Sequence, residues 1–520
     1  MTSRHYDVVV LGRSLGALVT AALLSRRDFR VLLLGQGQKP CTYGYDRFSL
    51  YRRAFTLLSG SSPAYKRVLH ELAQTPRFRR RTFALDPMFV VLGEGRRVEV
   101  PPDMELFARE VEREFPEVRQ VVDELYGTFA LVNGLADSAF ERDAIWPPGT
   151  FWERLETKRA AAELPFLGAE GHQDLLGKFP IGHPYRELVA LPARFASHLD
   201  APGESLPPFA LARLHGAWTR GIQALGRGED ELSEFLRERI EAHGGECRLE
   251  RRATALLVKR GRVTGILEDG EEEPTGASCV VSDQPGETLA ALAQGQGITN
   301  RARRDWPKLS SSVGRFVVSL VVGRAGIPDP LSAEAFVVPA EKGRPDPRRP
   351  TVHLQKLTPP SESGNEAPEL VLVAEVLLPT RGPLTVLEAR DAVVATLREQ
   401  LPFLENHLLI VDSPHDGLPL YDFTSGQRRE VERVHVPGSG PGPESMQKLW
   451  TIDPRGFLDL GGEPVRGPIP GTYLVGSSVL PALGQEGELL AAWSAARLIT
   501  RGDRNRQKMR RQMWSKIETT

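Results

Sequence analysis

Apolar residues along this chain gather in two patterns, short continuous runs and three-to-four-residue spacings, and the two alternate. Residues 6–11 (YDVVVL) form a β-branched run that suits a strand buried on both faces. Gly12 ends it, and residues 17–24 (ALVTAALL) follow with high helix propensity and little bulk. Residues 30–34 (RVLLL) then read as a second buried strand. Strand, glycine turn, small-faced helix and strand within about 30 residues predict a βαβ unit.

From about residue 83 to 166 the pattern turns helical, with apolar residues every three or four positions in 104–115. Residues 230–242 (DELSEFLRERIEA) predict an amphipathic helix. After Gly244-Gly245, runs at 255–258 and 263–267 predict strands. Glu268-Asp269-Gly270-Glu271 predicts the turn of the next hairpin, where Asp-Gly supplies positive φ angles. Residues 313–322 and 369–378 read as longer strands of an antiparallel sheet. The Pro- and Gly-rich stretch 343–368 between them reads as an exposed, mobile loop. A helix over 386–401 stops before Pro402, a strand covers 472–475, and a glycine turn leads into a helix over 489–499. No internal repeat is visible.

Composition narrows the function classes. The 520 residues are 41% hydrophobic and 26% charged, an ordinary globular balance. With 66 basic against 67 acidic residues the chain carries no polyanion-binding field, so nucleic acid is a poor partner. Three cysteines, Cys41, Cys247 and Cys279, lie far apart with no C-x-x-C pair, which excludes a disulfide framework and a thiolate zinc site. Eleven scattered histidines lack metal-site spacing. The start lacks a signal peptide's order and no apolar window is long enough to span a bilayer, so a cytoplasmic location is expected. In 501–520, seven basic residues oppose two acidic ones, and Met509, Met513 and Ile517 fall at i, i+4, i+8. That stripe suits a helix lying on anionic membrane or in a partner groove; the alternative is a frayed, solvated terminus.

The chemistry-bearing pattern is the first turn, Gly12-Arg13-Ser14-Leu15-Gly16-Ala17. A dinucleotide site uses G-x-G-x-x-G so that backbone can approach a pyrophosphate seated on the helix N-terminus. Here Ser14 replaces the second glycine and Ala17 the third.

Together with the block from Gly244-Gly245 through Val280-Val281-Ser282-Asp283-Gln284-Pro285 and the late GTYLVGSSVLPALGQEGELLAAWSAARLI, this turn resembles the phytoene desaturase (carotenoid desaturase/isomerase) branch of the FAD-dependent amine oxidase-like superfamily. The resemblance spans about residues 5 to 500. It implies an α/β fold: a Rossmann-like FAD/NAD(P)-binding domain plus a second α+β substrate domain of mixed or antiparallel sheet and helices. On this reading 1–80, 216–305 and 441–500 build the FAD-binding domain. The helical part 81–215 and the antiparallel-sheet part 306–440 receive an apolar small-molecule or lipid substrate, and 501–520 is a basic amphipathic tail.

The resemblance implies cofactor contacts at Gly12, Arg13, Ser14, Leu15, Gly16 and Ala17, at Gln36, at Ala253, and at Gly476, Ser477, Gly487, Glu488 and Leu489. Several positions depart from the family pattern. The acidic residue that holds the adenosine ribose falls at Gly35, the Gly-Gly-Arg motif is missing, and Ser477 stands at a usually acidic or small position. Glu486 and Glu488 stand near the flavin end of a helix, where they either oppose negative charge on the flavin or simply favour a helix's first turn. Losing the carboxylate, the arginine and close backbone approach removes roughly 5–8 kcal/mol. FAD then becomes a micromolar-to-millimolar ligand, weak or lost.

Two functions are therefore expected. One is an FAD-dependent oxidoreductase acting as desaturase, saturase or isomerase on a long polyene, isoprenoid or lipid. The other is a non-catalytic relative with a vestigial cofactor site, serving as a lipid-binding or assembly protein. An amine oxidase acting on a small amine is a weaker third, because no aromatic cage is discernible. His172, His183 and His215 read as ordinary partly buried histidines, and no catalytic residue can be named.

Overall fold

The computed structural model describes residues 5–93, 95–165, 174–201, 205–339, 346–357, 367–453, 456 and 459–503. The basic stripe beyond Asp503 and His172 lie outside the described residues.

Two sheets organise the chain. The strand His5–Leu11 pairs in parallel with Val31–Leu34 on one side and Thr275–Ser282 on the other. Four further strands extend this sheet to seven: Glu246–Arg248, Arg262–Glu268, Ala253–Lys259 and Thr472–Leu474, the last joining Thr275–Ser282 in parallel. The β-branched runs lie here because Val8, Val9, Val10 and Leu11 are covered on both faces. The helix Leu15–Arg26, buried from Gly16 to Ser25, packs between the helices Gly484–Gly502 and Gly228–Ala242. Its small residues allow that close approach.

The second sheet has ten strands and is antiparallel except where Glu334–Val337 meets Phe89–Gly93. Its centre is the pair Val313–Gly323 and Glu369–Pro379. Phe316, Val318 and Leu320 pack toward the helix Val386–Gln400, while Val317 and Val321 face the hairpin Thr42–Tyr45/Phe48–Tyr51. Arg315 and Ser319 share the second face by alternation. Helices Arg119–Glu141, Pro184–Ala196 and Pro208–Thr219 pack together in the helical part. Among the described residues no helix is long and apolar enough to cross a membrane.

Three expectations need correction. The stretch 83–166 contains the strands Phe89–Gly93 and Arg96–Val100, which join the second sheet. Their FVVL and VEV runs are β-branched, and sheet pairing overrides the helical periodicity around them. The stretch 343–368 contains the buried strand Val352–Leu357, whose alternating V-H-L-Q pattern is hidden by flanking prolines and charges. The last helix begins at Gly484, not at 489, so Glu486 and Glu488 lie inside it.

Candidate functional site

The first turn joins strand His5–Leu11 to helix Leu15–Arg26, and Ser14 caps that helix: its Oγ accepts the Ala17 N–H at 3.3 Å. Gly12 N–H donates to Leu34 O, and three more N–H groups of the turn are taken by side chains from remote segments. Arg13 N–H donates to Gln38 Oε1 at 2.9 Å, Ser14 N–H to Asp283 Oδ2 at 2.9 Å, and Gly16 N–H to Glu488 Oε2 at 3.1 Å. Asp283 is buried at the edge of the cavity described below. Its Oδ1 accepts from the amides of Gln38 (2.9 Å) and Gln284 (3.1 Å). Burial still pushes its carboxyl above the ordinary range, against the pull of these bonds. His198 Nε2 lies 3.1 Å from Glu488 Oε1, an ion-pair distance at which the ring is not aligned as a hydrogen-bond donor.

A second contact lies at the end of strand Val31–Leu34. Gln36 adopts a positive φ of 54° and turns its carboxamide onto Ala253. Gln36 Nε2 donates to Ala253 O and Gln36 Oε1 accepts the Ala253 N–H, both at 2.9 Å.

These contacts decide whether the residues fit FAD in the implied pose. A pyrophosphate needs the Ser14 and Gly16 N–H groups, which already bond carboxylates, and two phosphates there would face two like charges. An adenine along strand Ala253–Lys259 needs the Ala253 backbone edge that Gln36 takes. A ribose carboxylate at position 35 is excluded, since a Cβ there would stand 1.9 Å from Leu249 O. The residues present do not fit FAD held in that way.

The glycine frame has a separate cause. A Cβ on Gly16 would meet Val475 O at 1.9 Å, one on Gly476 would meet Asp283 O at 1.9 Å, and one on Gly487 would meet Leu480 O at 2.2 Å. Backbone packing therefore requires these glycines whatever the turn binds. At Gly12 the space that a side chain would fill holds the Asp283 carboxyl. Ser477 Oγ accepts the Trp450 indole N–H at 3.0 Å, Leu15 lines the cavity described next, and Leu489 is fully buried in the core. Arg13 reaches Gln38 O at 3.2 Å. Glu486, expected either to oppose charge on the flavin or to favour the helix's first turn, lies in that turn and forms a buried two-point ion pair with Arg213, 2.6 Å at each contact.

A cavity of about 1220 Å³ separates the turn from the second sheet. Its far wall carries an ionic cluster. Arg315 Nη1 donates to Glu375 Oε1 at 3.0 Å, and His353 stands 2.8 Å from Glu334 Oε2 and 3.4 Å from Glu375 Oε2. Burial disfavours the imidazolium, but the two carboxylates outweigh it and lift the His353 pKa to about 9. Phe336 stacks on the ring at 5.1 Å, and Trp218 meets it edge-on at 5.5 Å. Nearer the turn, Lys39 (2.8 Å) and Arg52 (2.7 Å) both pair with Glu444.

Asp283, Gln38, His198, His353, Glu375 and Arg315 were not singled out from the sequence. Asp283 alone had a signal there, as an acid directly after a buried strand. His215 is enclosed between Tyr126 and Val189 O, and His183 caps the helix Pro184–Ala196, both ordinary roles. Cys41 and Cys279 are buried and Cys247 partly so, all with free thiols.

No family model and no curated protein matches the sequence. Solved structures do match in fold. An oxidoreductase from Methanosarcina mazei superposes with a TM-score of 0.55 at 14% identity, covering 94% of this chain and 99% of its own. A protein from Pyrococcus furiosus gives 0.52 at 14%, covering 95% and 97%. Putrescine oxidase with bound putrescine gives 0.53 at 15%, covering 95% and 98%. At such identities the likeness is one of fold alone: the chain shares the two-domain α/β architecture of these structures.

Proposed function

We propose that this chain is a ligand-binding protein built on the flavin-oxidoreductase fold, and that it works without FAD seated as the resemblance implies. The carrying observation is the pair of carboxylates, Asp283 and Glu488, bonded to the N–H groups of the first turn. The cavity beside them is the binding space, and its ligand is a small molecule bearing charge. Lys39, Arg52, Glu444, Asp283, Glu488 and His198 line it; all but His198 have hydrogen-bond partners within the protein, and an apolar polyene would cover these charged groups without adding any bond to them. The ligand lies between this charged near side and the aromatic wall of Trp218 and Phe195.

The test is a visible spectrum of the purified protein, before and after excess FAD and dialysis, with native mass spectrometry of whatever co-purifies. No flavin band and a polar small molecule are expected. A flavin band at near-equal stoichiometry overturns the reading.

The overall fold favours a second reading, an FAD-dependent desaturase, saturase or isomerase of a lipid or isoprenoid. It requires Asp283, Glu488 and Gln36 to leave their partners. The open cavity volume supports it.

A further inference from the structure

Two carboxylates on the turn and a carboxamide on the edge strand Ala253–Lys259 come from three separate segments, and each matches a group of a dinucleotide. We infer that Asp283, Glu488 and Gln36 are the residues that exclude a dinucleotide from this fold, by presenting to the backbone what the dinucleotide would present. The inference rests on the flavin-free reading above and names its cause.

The chemistry matches group by group. A pyrophosphate offers anionic oxygens to backbone N–H groups at a helix start. Asp283 Oδ2 and Glu488 Oε2 offer the same to Ser14 and Gly16. An adenine edge offers an adjacent acceptor and amino donor, the pair that a carboxamide complements in base recognition and therefore also reproduces. Gln36 offers that pair to the N–H and C=O of Ala253.

Each side chain is also held in place from behind. Gln38 and Gln284 fix Asp283, His198 stands against Glu488, and the positive φ of Gln36 sends its side chain back across the strand end. A lone carboxylate at a helix start would be an ordinary cap. Two on one turn, with the carboxamide on the edge strand Ala253–Lys259, cover the phosphate and base positions together.

Charge is therefore the larger barrier, and it can be removed without changing shape. Asp283→Asn and Glu488→Gln keep an acceptor oxygen for Ser14 and Gly16. FAD titration followed by quenching of flavin fluorescence is expected to show no saturation for the wild type. The double variant D283N/E488Q should gain affinity by about tenfold or more for each charge removed. Adding Gln36→Ala should strengthen binding again. Cooperative thermal unfolding verifies that each variant is folded. In parallel, inorganic pyrophosphate should leave the wild-type melting temperature unchanged.

A folded double variant with wild-type FAD affinity overturns the inference, and so does stabilisation of the wild type by pyrophosphate. If the double variant does not fold, the wild-type pyrophosphate result decides. Wild-type protein that purifies with FAD overturns the flavin-free reading itself. A flavin-free wild type with an unresponsive variant overturns only the exclusion by these residues.

Discussion

Glu488 and Gly16 stand 472 positions apart in the chain, and the carboxylate of one accepts the backbone N–H of the other at 3.1 Å. That bond ties the last helix to the first turn. Glu488→Ala leaves a buried N–H without its partner, which costs about 1–3 kcal/mol. Glu488→Gln keeps the acceptor and should cost less than half as much. Urea unfolding of both variants reads the difference directly, and equal losses would place the bond's worth elsewhere.

Gly476→Ala sets a Cβ against the Asp283 carbonyl, where neither side is a flexible chain end. A loss of about 3 kcal/mol or more is expected. Added FAD should not alter the loss, because the glycine serves backbone packing. Melting temperatures with and without FAD check this. For the same reason Gly35→Glu cannot restore a ribose-binding acid, since Leu249 O lies where its Cβ would go.

Arg213 and Glu486 form a buried ion pair between the helices Pro208–Thr219 and Gly484–Gly502. Burial raises the Glu486 carboxyl, and the guanidinium outweighs it and holds the group below its ordinary value. Removing one partner, as in Arg213→Met, should cost about 3–5 kcal/mol, and the double variant Arg213→Met/Glu486→Leu should recover much of it. A double-mutant cycle by chemical denaturation measures the coupling. Additive losses would show that the pair contributes no more than its parts.

His353 predicts the direction of alkaline instability. Its folded pKa, about 9, lies above the unfolded value near 6.5. The stabilisation is fully present below the unfolded value and is lost as pH rises through the folded one. Roughly 3 kcal/mol should disappear between neutral pH and pH about 10. His353→Gln should be less stable at neutral pH and should lack this alkaline step. Denaturation midpoints across that range test both statements, and a parallel pH profile in the variant would remove His353 as the cause.

The first βαβ unit was legible because buried strands and a small-faced helix leave local signatures in 5–34. The strand Val352–Leu357 was not, because His353 and Gln355, both bonded to the buried Glu334, break the apolar run that marks a strand. Phe89–Gly93 and Arg96–Val100 were lost among helical neighbours, since only pairing with Glu334–Val337 gives them a place. At the site, the missing ribose acid and the replacements at Ser14 and Gln36 could be read as departures. What takes the turn's N–H groups could not. Ser14 meets Asp283 across 269 positions, and no local spacing encodes such a meeting.

The strand Thr472–Leu474 also bears on how the molecule is made. Val280, Val281 and Ser282 find their outer partners only there, with Val475 N–H donating to Ser282 O at 2.9 Å. During synthesis the long stretch between Ser282 and Thr472 emerges before that edge is covered. Until then the nascent sheet offers open backbone groups to any neighbouring strand. Chains that stop before Thr472 are therefore the ones most prone to aggregate, and chaperone demand should fall once that strand has been made.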